Sequence, residues 1–295
     1  MQHKITKILS ILIIIVLLPY VITVFINGPR VLPDRNSNGP YVRIQTENGV
    51  IEMPLDEYSI GILAREMPID YEREALKAQA VLVRTGLYRR IQQQEGDVIF
   101  QEHFWTSRDM ERAWGARDYA ANHELLRTIW EETEGQIVTF EGRIATTPFH
   151  KLSNGRTRIG SEVLETDRHP YLQMRECPRD IGADSQLQTV VLDLEDVEIL
   201  SRDSAGYVTS VRVGNETYSG EEFRNLHNLA SSSFEVQDDH GQIRLTTTGI
   251  GHGLGMSQNT ANEMAKEGIS HLEILKFFFE DIEIKEVAEI LLNTE

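Results

Sequence analysis

The sequence is nearly devoid of cysteine and short of basic residues. Cys177 is the single cysteine in 295 residues, so an intrachain disulfide and a pair of thiols at metal-ligand spacing are both excluded. We interpret Cys177 as a small buried apolar side chain. The 29 basic residues are outnumbered by 46 acidic ones, and the net charge of −17 argues against nucleic acid and polyanionic wall polymers as ligands.

Charge is also absent from a long apolar run near the N-terminus. Residues 8 to 29 carry no charged side chain and are numerous enough to cross a bilayer as a helix. Lys4 and Lys7 precede the run, which predicts a cytoplasmic N-terminus and an extracytoplasmic remainder. An uncleaved anchor is favoured over a cleaved signal peptide, because no small-x-small cleavage site stands before Arg30.

These features predict a single-pass protein of the cell membrane with one extracytoplasmic domain. The predicted division is a cytoplasmic stub and transmembrane anchor over 1 to 29, a linker over 30 to 40 that is rich in Gly, Pro and Asn, and a domain over 41 to 295.

The pattern of the domain predicts an α+β fold with hairpins and a helical core. Asn48-Gly49 and Glu141-Gly142 each separate two strand-like segments, as in β-hairpins. Strand-like runs also occur within 187–213, 234–236 and 243–248. Helices are predicted over 54–66, 72–90, 124–134, 220–229 and 257–267, and irregular backbone over 91–122 and 159–184.

Glu66 is the first candidate for chemistry. It lies one helical turn after Ile62, and Pro68 ends the helix beside it, because proline disfavours helical backbone at the preceding residue. An apolar face and the negative end of the helix dipole both favour the neutral carboxylic acid, which is the form that a general acid needs. Arg65 opposes this if its side chain folds back onto Glu66, but neighbouring side chains of a helix point in different directions. The alternative is an exposed glutamate at a helix end, the commoner situation for this residue type.

The second candidate is a turn with glycine at 249, 251, 253 and 255, which we expect to meet the Glu66 segment in space. Repeated glycines permit left-handed backbone and close approach, and Ser257 can cap the helix that follows. A phosphate loop lacks its Gly-Lys-Ser/Thr signature here. His252 has no Cys or His at metal-ligand spacing and, taken alone, is more often structural, so we predict neither a metal nor a cofactor.

Other polar and aromatic residues have a functional and a structural interpretation each. Arg84 and Tyr88 lie one turn apart and can bind a sugar, although a structural ion pair of Arg84 is favoured. His150 and Ser153 lie where a strand opens into a turn, but a serine hydrolase needs an orienting acid that the sequence does not identify. The tryptophans within 91–122 suit sugar stacking or packing of that segment equally.

Together these motifs resemble the stage II sporulation protein D family, whose domain is shared with an amidase-enhancer protein. The resemblance covers nearly all of the domain, in the family's order. The matching pieces are 50–58, the Ala-Arg-Glu-Met-Pro block at 64–68, 74–80 with Arg84 and Thr85, Phe149-His150 with Ser153 and Gly155, 170–172, 229–234 and 251–258.

The resemblance implies a lytic transglycosylase that cleaves peptidoglycan glycan strands already stripped of stem peptides, during engulfment in endospore formation. It implies a sporulation amidase and a membrane protein as partners, and it maps the family's catalytic glutamate onto Glu66. The candidates for shaping the substrate cleft are His150, Ser153, His252, Ser257 and Gln258, with Arg84 and Tyr88 ranked below them.

A single carboxylate is sufficient for such a reaction. A glycosidase normally uses two carboxylates, because water must be activated and positioned. In a transglycosylase the sugar's own C6 hydroxyl attacks and leaves a 1,6-anhydro end, and this internal nucleophile is already held close. Glu66 can then serve as the acid and afterwards as the base.

Two alternatives stay open. The first is a non-catalytic wall-binding protein that stimulates an N-acetylmuramoyl-L-alanine amidase. The second is an ordinary glycoside hydrolase, which needs a second carboxylate from among Asp56, Glu57, Asp70, Glu72 and Glu74.

The sequence departs from the family at three points. Asn154 stands where the family usually has glycine, and a tryptophan common before 170–172 is absent. Some members hold zinc through a histidine and cysteines after the Arg84 helix, but this chain has only His103 there, so no such metal site is predicted.

Overall fold

The computed structural model describes residues 40 to 292, apart from 47–48, 94–97, 102–103, 185 and 240–241. In this part of the chain the helices are α1 (Leu55–Glu66), α2 (Arg73–Gln93), α3 (Ser107–Trp114), α4 (Tyr119–Glu132), α5 (Gly160–Leu164), α6 (Gly220–Leu226), α7 (Gln258–Lys266), α8 (His271–Phe278) and α9 (Val287–Leu292). The strands are β1 (Tyr41–Thr46), β2 (Gly49–Pro54), β3 (Ile99–Phe100), β4 (Gln136–Phe140), β5 (Arg143–Ile144), β6 (Phe149–His150), β7 (Leu187–Leu192), β8 (Val197–Arg202), β9 (Val208–Val213), β10 (Glu216–Ser219), β11 (Phe234–Asp239), β12 (Gln242–Thr248), β13 (Met256–Ser257) and β14 (Glu283–Glu286). A single 3₁₀ turn spans Pro178–Asp180.

Helix α2 is the element on which the two largest apolar cores are built. Leu76 and Leu87 belong to a core shared with α1 and α4. Ala78 and Leu82, on another face, belong to a second core shared with α7 and α8. A helix that is apolar on more than one face is a buried helix. Ala75 and Ala78 are fully buried, so neighbouring elements approach the helix closely.

Helix α1 carries Glu66 at its C-terminal end. The antiparallel pair β1–β2 leads into it through Pro54, and β3 pairs parallel to β1. Tyr58 and Leu63 anchor the helix in the first core. Met67 has extended backbone, as a residue before proline should, so α1 ends at Glu66 as predicted.

Two three-stranded sheets form a third layer between residues 187 and 248. Their strand orders are β11–β12–β7 and β10–β9–β8, and α6 packs with them around the buried Val208, Phe223, Phe234 and Leu245. Strand β12 alternates buried and exposed positions, the pattern of a half-buried strand. Strand β12 ends at Thr248, and the chain continues directly into the glycine turn at 249–255.

The strands after the glycine turn return the chain to the middle of the molecule. Strand β13 pairs parallel to β6, and Leu152 pairs with Ile250 in the turn itself. A further sheet, in the order β14–β4–β5, lies between α2 and the C-terminal helix α9.

The α+β class and both hairpins are confirmed. Glu141 and Gly142 both have positive φ, the conformation of a type I′ turn; Asn48 of the other hairpin lies outside the described residues. The predicted irregular backbone over 91–122 is wrong, because α3 and the start of α4 lie there. A capping box between Thr106 and Asp109 starts α3, and Met110 buries it against the first core.

The predicted transmembrane helix and single-pass membrane location are contradicted. Within the described ranges of 40 to 292, no helix is both long and apolar enough to cross a membrane. The longest of them, α2, has 21 residues, but its charged side chains, among them Glu74, Lys77 and Arg84, make it too polar for a membrane span. The segment for which the span was predicted, residues 8 to 29, lies outside the described residues.

Gly61 allows the segment before α3 to cross α1. A Cβ at this position would lie 2.6 Å from the Trp105 carbonyl oxygen and 2.9 Å from a ring carbon of Phe104. We predict that Gly61→Ala lowers the free energy of unfolding by about 1–3 kcal/mol, because backbone must shift to admit the methyl group. Urea denaturation measures this.

Gly86→Ala is the matched control. Gly86 also lies within a helix, but a Cβ there meets no atom within 4 Å. This change should be neutral or raise the free energy of unfolding by up to about 1 kcal/mol, because alanine is the better helix former. Equal effects of the two substitutions would contradict the steric role of Gly61.

Candidate active site

Two open clefts meet at Glu66. The first has a volume of about 870 Å³, lies along α1, α2 and β3, and is here called the phenylalanine cleft after Phe100 and Phe149. The second has a volume of about 840 Å³ and is called the tryptophan cleft after Trp105 and Trp114. Arg65 and Glu66 line both. An extended ligand that occupies both clefts therefore passes over Glu66.

The carboxylate of Glu66 is half-buried and paired with its neighbour. Its side chain is 29% exposed, and its Oε1 lies 2.5 Å from Arg65 Nη1. Successive residues of a helix normally point apart, but α1 ends at Glu66, and the Arg65 side chain folds back onto it. The site therefore offers an accessible carboxylate with a guanidinium beside it, and both groups face both clefts.

Gln258 ties the glycine-turn motif to the Glu66 segment. Its Nε2 donates to the Glu66 carbonyl oxygen at 3.0 Å and to Gln79 Oε1 at 3.1 Å. The side chain is buried, yet it also lines the tryptophan cleft. A carbonyl at the end of a helix has no hydrogen-bond partner within the helix. Gln258 supplies the missing donor to the Glu66 carbonyl oxygen. The predicted meeting of the two segments is confirmed by this contact.

Asp180 organises the residues behind the site. It is fully buried, and Oδ2 accepts hydrogen bonds from Ser153 N–H at 2.8 Å, Ser153 Oγ at 2.6 Å and Ser257 Oγ at 2.7 Å. Its Oδ1 accepts from Thr260 Oγ1 at 2.8 Å and from Asn259 Nδ2 at 3.1 Å. Ser153 and Ser257 thus donate their hydroxyl hydrogens to an internal carboxylate and line neither cleft.

The glycine turn packs too tightly for side chains. Gly255 has φ of 73°, and a Cβ there would lie 2.0 Å from the Pro148 carbonyl oxygen. Glycine is required at such a position, because it combines left-handed backbone with direct contact between two main chains. The turn thereby places β13 against β6 and brings Ser257 to Asp180.

His150 and His252 form a neutral pair beneath the turn, with ring centroids 5.8 Å apart. The Nδ1 of His150 bonds to the Leu254 carbonyl oxygen at 3.2 Å, and the Nδ1 of His252 accepts from Leu254 N–H at 3.1 Å. Burial, followed by the charges of His252 and Arg224, lowers the pKa of His150 to about 3. Burial also lowers the pKa of His252. Neither histidine lines a cleft.

Arg84 has a structural setting. Its guanidinium stacks on Trp130 at 3.7 Å and donates to the carbonyl oxygens of Trp130 and Thr133 at 2.8 and 2.5 Å. Burial lowers its pKa to about 10. Its partners are main-chain carbonyls, whereas the favoured structural interpretation expected a carboxylate. Tyr88 is half-buried against the first core, to which Trp130 also belongs, and burial raises the pKa of Tyr88.

The tryptophan cleft is the aromatic part of the site. Trp105 and Trp114 meet edge to face with centroids 6.2 Å apart. The main-chain N–H of Trp105 donates to the Gly61 carbonyl oxygen at 3.0 Å. This bond fixes Trp105 against α1, five residues before Glu66. Tyr71 lines the same cleft. The two interpretations of these tryptophans are therefore compatible, since they pack on the protein and also line the cleft.

The five candidates for a second carboxylate are not among the residues that line either cleft, although Ile69 and Tyr71, the neighbours of Asp70, line the tryptophan cleft. Asp56 accepts from Trp130 Nε1 at 2.8 Å, Glu57 pairs with His123, and Glu74 binds Lys77 and His271. The acids that do line the tryptophan cleft besides Glu66 are Asp184 and Glu263. Among the described residues no group of three or more His, Cys, Asp or Glu is placed to hold a metal ion, and His103 lies outside them.

Of the predicted site residues, the structure brings Glu66 and Gln258 to the clefts and places the other six in the supporting structure. Asp180 is the residue that the sequence did not reveal. Its partners lie 27 to 80 residues away in the chain, so no local pattern indicates it. The usable signal is that Ser153 and Ser257 are hydroxyl residues beside apolar and glycine-rich stretches and need an acceptor if they are buried. Cys177 is buried, as predicted.

Comparison with known proteins matches residues 44–140 to the family model described as Stage II sporulation protein. Stage II sporulation protein D of Bacillus amyloliquefaciens is 30% identical over 273 residues, covering 84% of this chain and 79% of that protein. Its namesake in Bacillus subtilis (strain 168) is 29% identical, with the same coverage of both chains. The amidase enhancer of Bacillus subtilis (strain 168) is 24% identical over 74% of this chain and 39% of that protein.

We predict that Asp180→Asn lowers the free energy of unfolding by about 3 kcal/mol or more, because an amide cannot accept all five hydrogen bonds and hydrogen bonds to charged groups are strong. Hydroxyls can rotate, but the Ser153 N–H and the Asn259 amide cannot. Asp184→Asn, at an exposed position in the following loop, is the control and should change stability by less than about 0.5 kcal/mol. A loss below about 1 kcal/mol for Asp180→Asn in urea denaturation would contradict the central role of Asp180.

His150 should make stability fall in mild acid. As the pH drops below about 6.5, unfolded His150 takes up a proton, while folded His150 stays neutral until about pH 3. Stability therefore rises with pH throughout this window and is lost on acidification. His150→Asn, whose Nδ2 can still donate to Leu254, removes this dependence.

The measurement is the free energy of unfolding of wild type and His150→Asn at pH 7 and pH 5. Between these values the wild type should lose about 2 kcal/mol more than the variant. The other titrating groups are common to both proteins and cancel in the comparison. Parallel pH profiles would contradict this prediction, because they would show that folded and unfolded His150 take up their proton over the same pH range.

Proposed function

The chain belongs to the stage II sporulation protein D family, and on that basis we propose that it is a lytic transglycosylase of peptidoglycan. Its substrates are glycan strands from which stem peptides have been removed, and its setting is engulfment during endospore formation. Its partners are a sporulation amidase and a membrane protein. The observation that carries the proposal is the position of Glu66, an accessible carboxylate where two clefts meet.

Glu66 performs both proton transfers in this proposal. The protonated carboxyl group donates its hydrogen to the glycosidic oxygen, the bond from that oxygen to C1 breaks, and positive charge develops at C1 and the ring oxygen. The C6 hydroxyl of the same sugar attacks C1 and gives its proton to the Glu66 carboxylate. The products are a 1,6-anhydro end and a new free hydroxyl on the leaving strand, and Glu66 is restored to its starting form.

A mechanism with one carboxylate needs no partner for Glu66, and besides Glu66 the described acids that line the tryptophan cleft are Asp184 and Glu263. The five acids proposed as a second carboxylate lie outside the clefts as described, and three of them are engaged in structural contacts. An internal hydroxyl needs no base to position it. Arg65 fixes the orientation of the carboxylate before the substrate arrives, and Gln258 fixes the backbone to which it is attached.

The second candidate function is stimulation of an amidase without glycan cleavage. The similarity to a protein named amidase enhancer favours it. The two functions differ in whether the isolated protein releases sugar products and in whether Glu66 is needed.

We predict that the full chain, incubated with peptide-free glycan strands in H₂¹⁸O, releases fragments with 1,6-anhydro ends that carry no ¹⁸O, as detected by mass spectrometry. Glu66→Gln should lower the rate at least about 100-fold, because it removes general acid–base catalysis. Glu263→Gln is the matched control, since Glu263 lines the tryptophan cleft but has no proposed proton to transfer, and its rate should stay within about threefold of wild type.

Three other outcomes have clear meanings. Reducing ends that carry ¹⁸O would replace the transglycosylase by a hydrolase, with Asp184 and Glu263 as the first acids to substitute. Equal rates for wild type and Glu66→Gln would exclude Glu66 as the catalyst. An absence of sugar products, with faster release of stem peptides by an added amidase, would establish the enhancer function instead.

A further inference from the structure

A third cavity lies on the other side of the last turns of α2 and is lined by three arginines. Its volume is about 610 Å³, and Arg89 from α2, Arg143 from β5 and Arg168 contribute to its wall. We call it the arginine cavity. The acids on its wall are Glu141 and Asp167, so its lining carries a small positive charge in a chain whose net charge is −17.

The three arginines line one cavity and have no directly paired acid among the described residues. In the described part of the chain, none of the three guanidinium groups forms an ion pair within 4.0 Å or a side-chain hydrogen bond. Other arginines are well supplied with acids, as in the pairs of Arg158 with Asp203 and of Arg179 with Glu267. With 46 acidic residues in the chain, unpaired arginines around one cavity indicate a place for an external anion.

The charge of the arginines acts on His169, a titratable residue of the cavity wall. His169 lines the cavity together with Tyr171, and their Nδ1 and phenol oxygen lie 3.0 Å apart. Burial lowers the pKa of His169, and the charges of Arg89 and Arg168 lower it further. The Tyr171 oxygen also accepts from Thr146 N–H at 2.8 Å, so this part of the wall is held in place.

The arginine cavity continues from the phenylalanine cleft. Gln93 lines both, Arg89 and Arg90 face one each, and so do Thr146 and Thr147. The two cavities adjoin at Gln93, so a strand that leaves Glu66 through the phenylalanine cleft can extend to the arginine cavity.

We propose that the arginine cavity binds the free lactyl carboxylate of a muramic acid residue in the strand that occupies the phenylalanine cleft. This rests on the proposed function. The lactyl group carries the stem peptide through an amide, and it becomes a carboxylate only when that amide is hydrolysed. Guanidinium groups bind carboxylates through paired, charge-assisted hydrogen bonds, which a neutral amide cannot accept as strongly.

A monovalent carboxylate suits this cavity better than a phosphate polymer. Glu141 and Asp167 on the wall reduce its positive charge, which is sufficient for one carboxylate but unfavourable to the closely spaced charges of a phosphate polymer. The cavity thus makes the protein select strands that an amide-hydrolysing enzyme has already processed.

The test measures binding by the full chain carrying Glu66→Gln, so that no strand is consumed. The ligands are peptide-free glycan strands and the same strands after chemical reduction of their lactyl carboxylates to alcohols. Arg143→Ala combined with Arg168→Ala removes two exposed guanidinium groups, neither of which forms an ion pair or a side-chain hydrogen bond with a described residue. Arg117→Ala is the matched control, an exposed arginine outside the cavity that also has no ion pair with a described residue.

We expect the carboxylate strands to bind at least 10-fold more tightly than the reduced strands. The double variant should lose this preference without weaker binding of the reduced strands, and Arg117→Ala should keep it. Equal affinity for the two strands, or a double variant that weakens both equally, would overturn the proposal. Stronger competition by inorganic phosphate than by acetate at equal concentration would also overturn it, in favour of a phosphate site.

Failure of this proposal and failure of the transglycosylase are distinguishable. If the wild type releases anhydro products from carboxylate and reduced strands at equal rates, the carboxylate site is excluded and the transglycosylase stands. If it releases no product from either strand but binds the carboxylate strand with the expected preference, the binding site stands without the activity.

Discussion

The structure depends on one buried carboxylate. Asp180 is fully enclosed and has no ion pair among the described residues, so its charge is stabilised by hydrogen bonds alone. Meeting that requirement brings the turn after β6 and the start of α7 to the same point. Ser257 then fixes the N-terminus of α7, and the next residue, Gln258, reaches the carbonyl of Glu66. The need of buried Asp180 for hydrogen-bond donors thus helps to determine where Glu66 lies.

The glycine turn and Asp180 are two parts of the same constraint. Gly255 lets the main chain touch Pro148, and only this contact brings Ser257 within 2.7 Å of Asp180. His150 and His252 pack beneath the turn, where burial lowers the pKa of both rings and so favours their neutral forms. The histidines and serines that suggest catalysis therefore stabilise the glycine turn, and the candidate catalytic group is at the exposed end of α1.

Sequence predicted the features that local pattern determines. Pro68 ends α1 at Glu66, and the glycine spacing defines the turn, so both segments were recognised from local pattern. Their meeting was expected, and the hydrogen bond from Gln258 to the Glu66 carbonyl oxygen confirms it. The roles of Ser153 and Ser257 did not follow from local pattern, because both depend on Asp180, which lies in a segment without helical or strand periodicity. The fold-back of Arg65 onto Glu66 was wrongly discounted from the sequence, for a different reason. Helix geometry separates neighbouring side chains, but the last residue of a helix is free of that rule.

Charge explains how an acidic protein can act on an anionic strand. A glycan freed of stem peptides carries carboxylates, and a chain with a net charge of −17 repels it at long range. Within about 10 Å, at ordinary salt concentrations, local charges dominate because the distant ones are screened. Arg65 and Arg90 line the phenylalanine cleft, and Arg89 continues the positive charge into the arginine cavity. Attraction is thereby confined to the path along which the strand must lie, while the rest of the surface disfavours other polyanions.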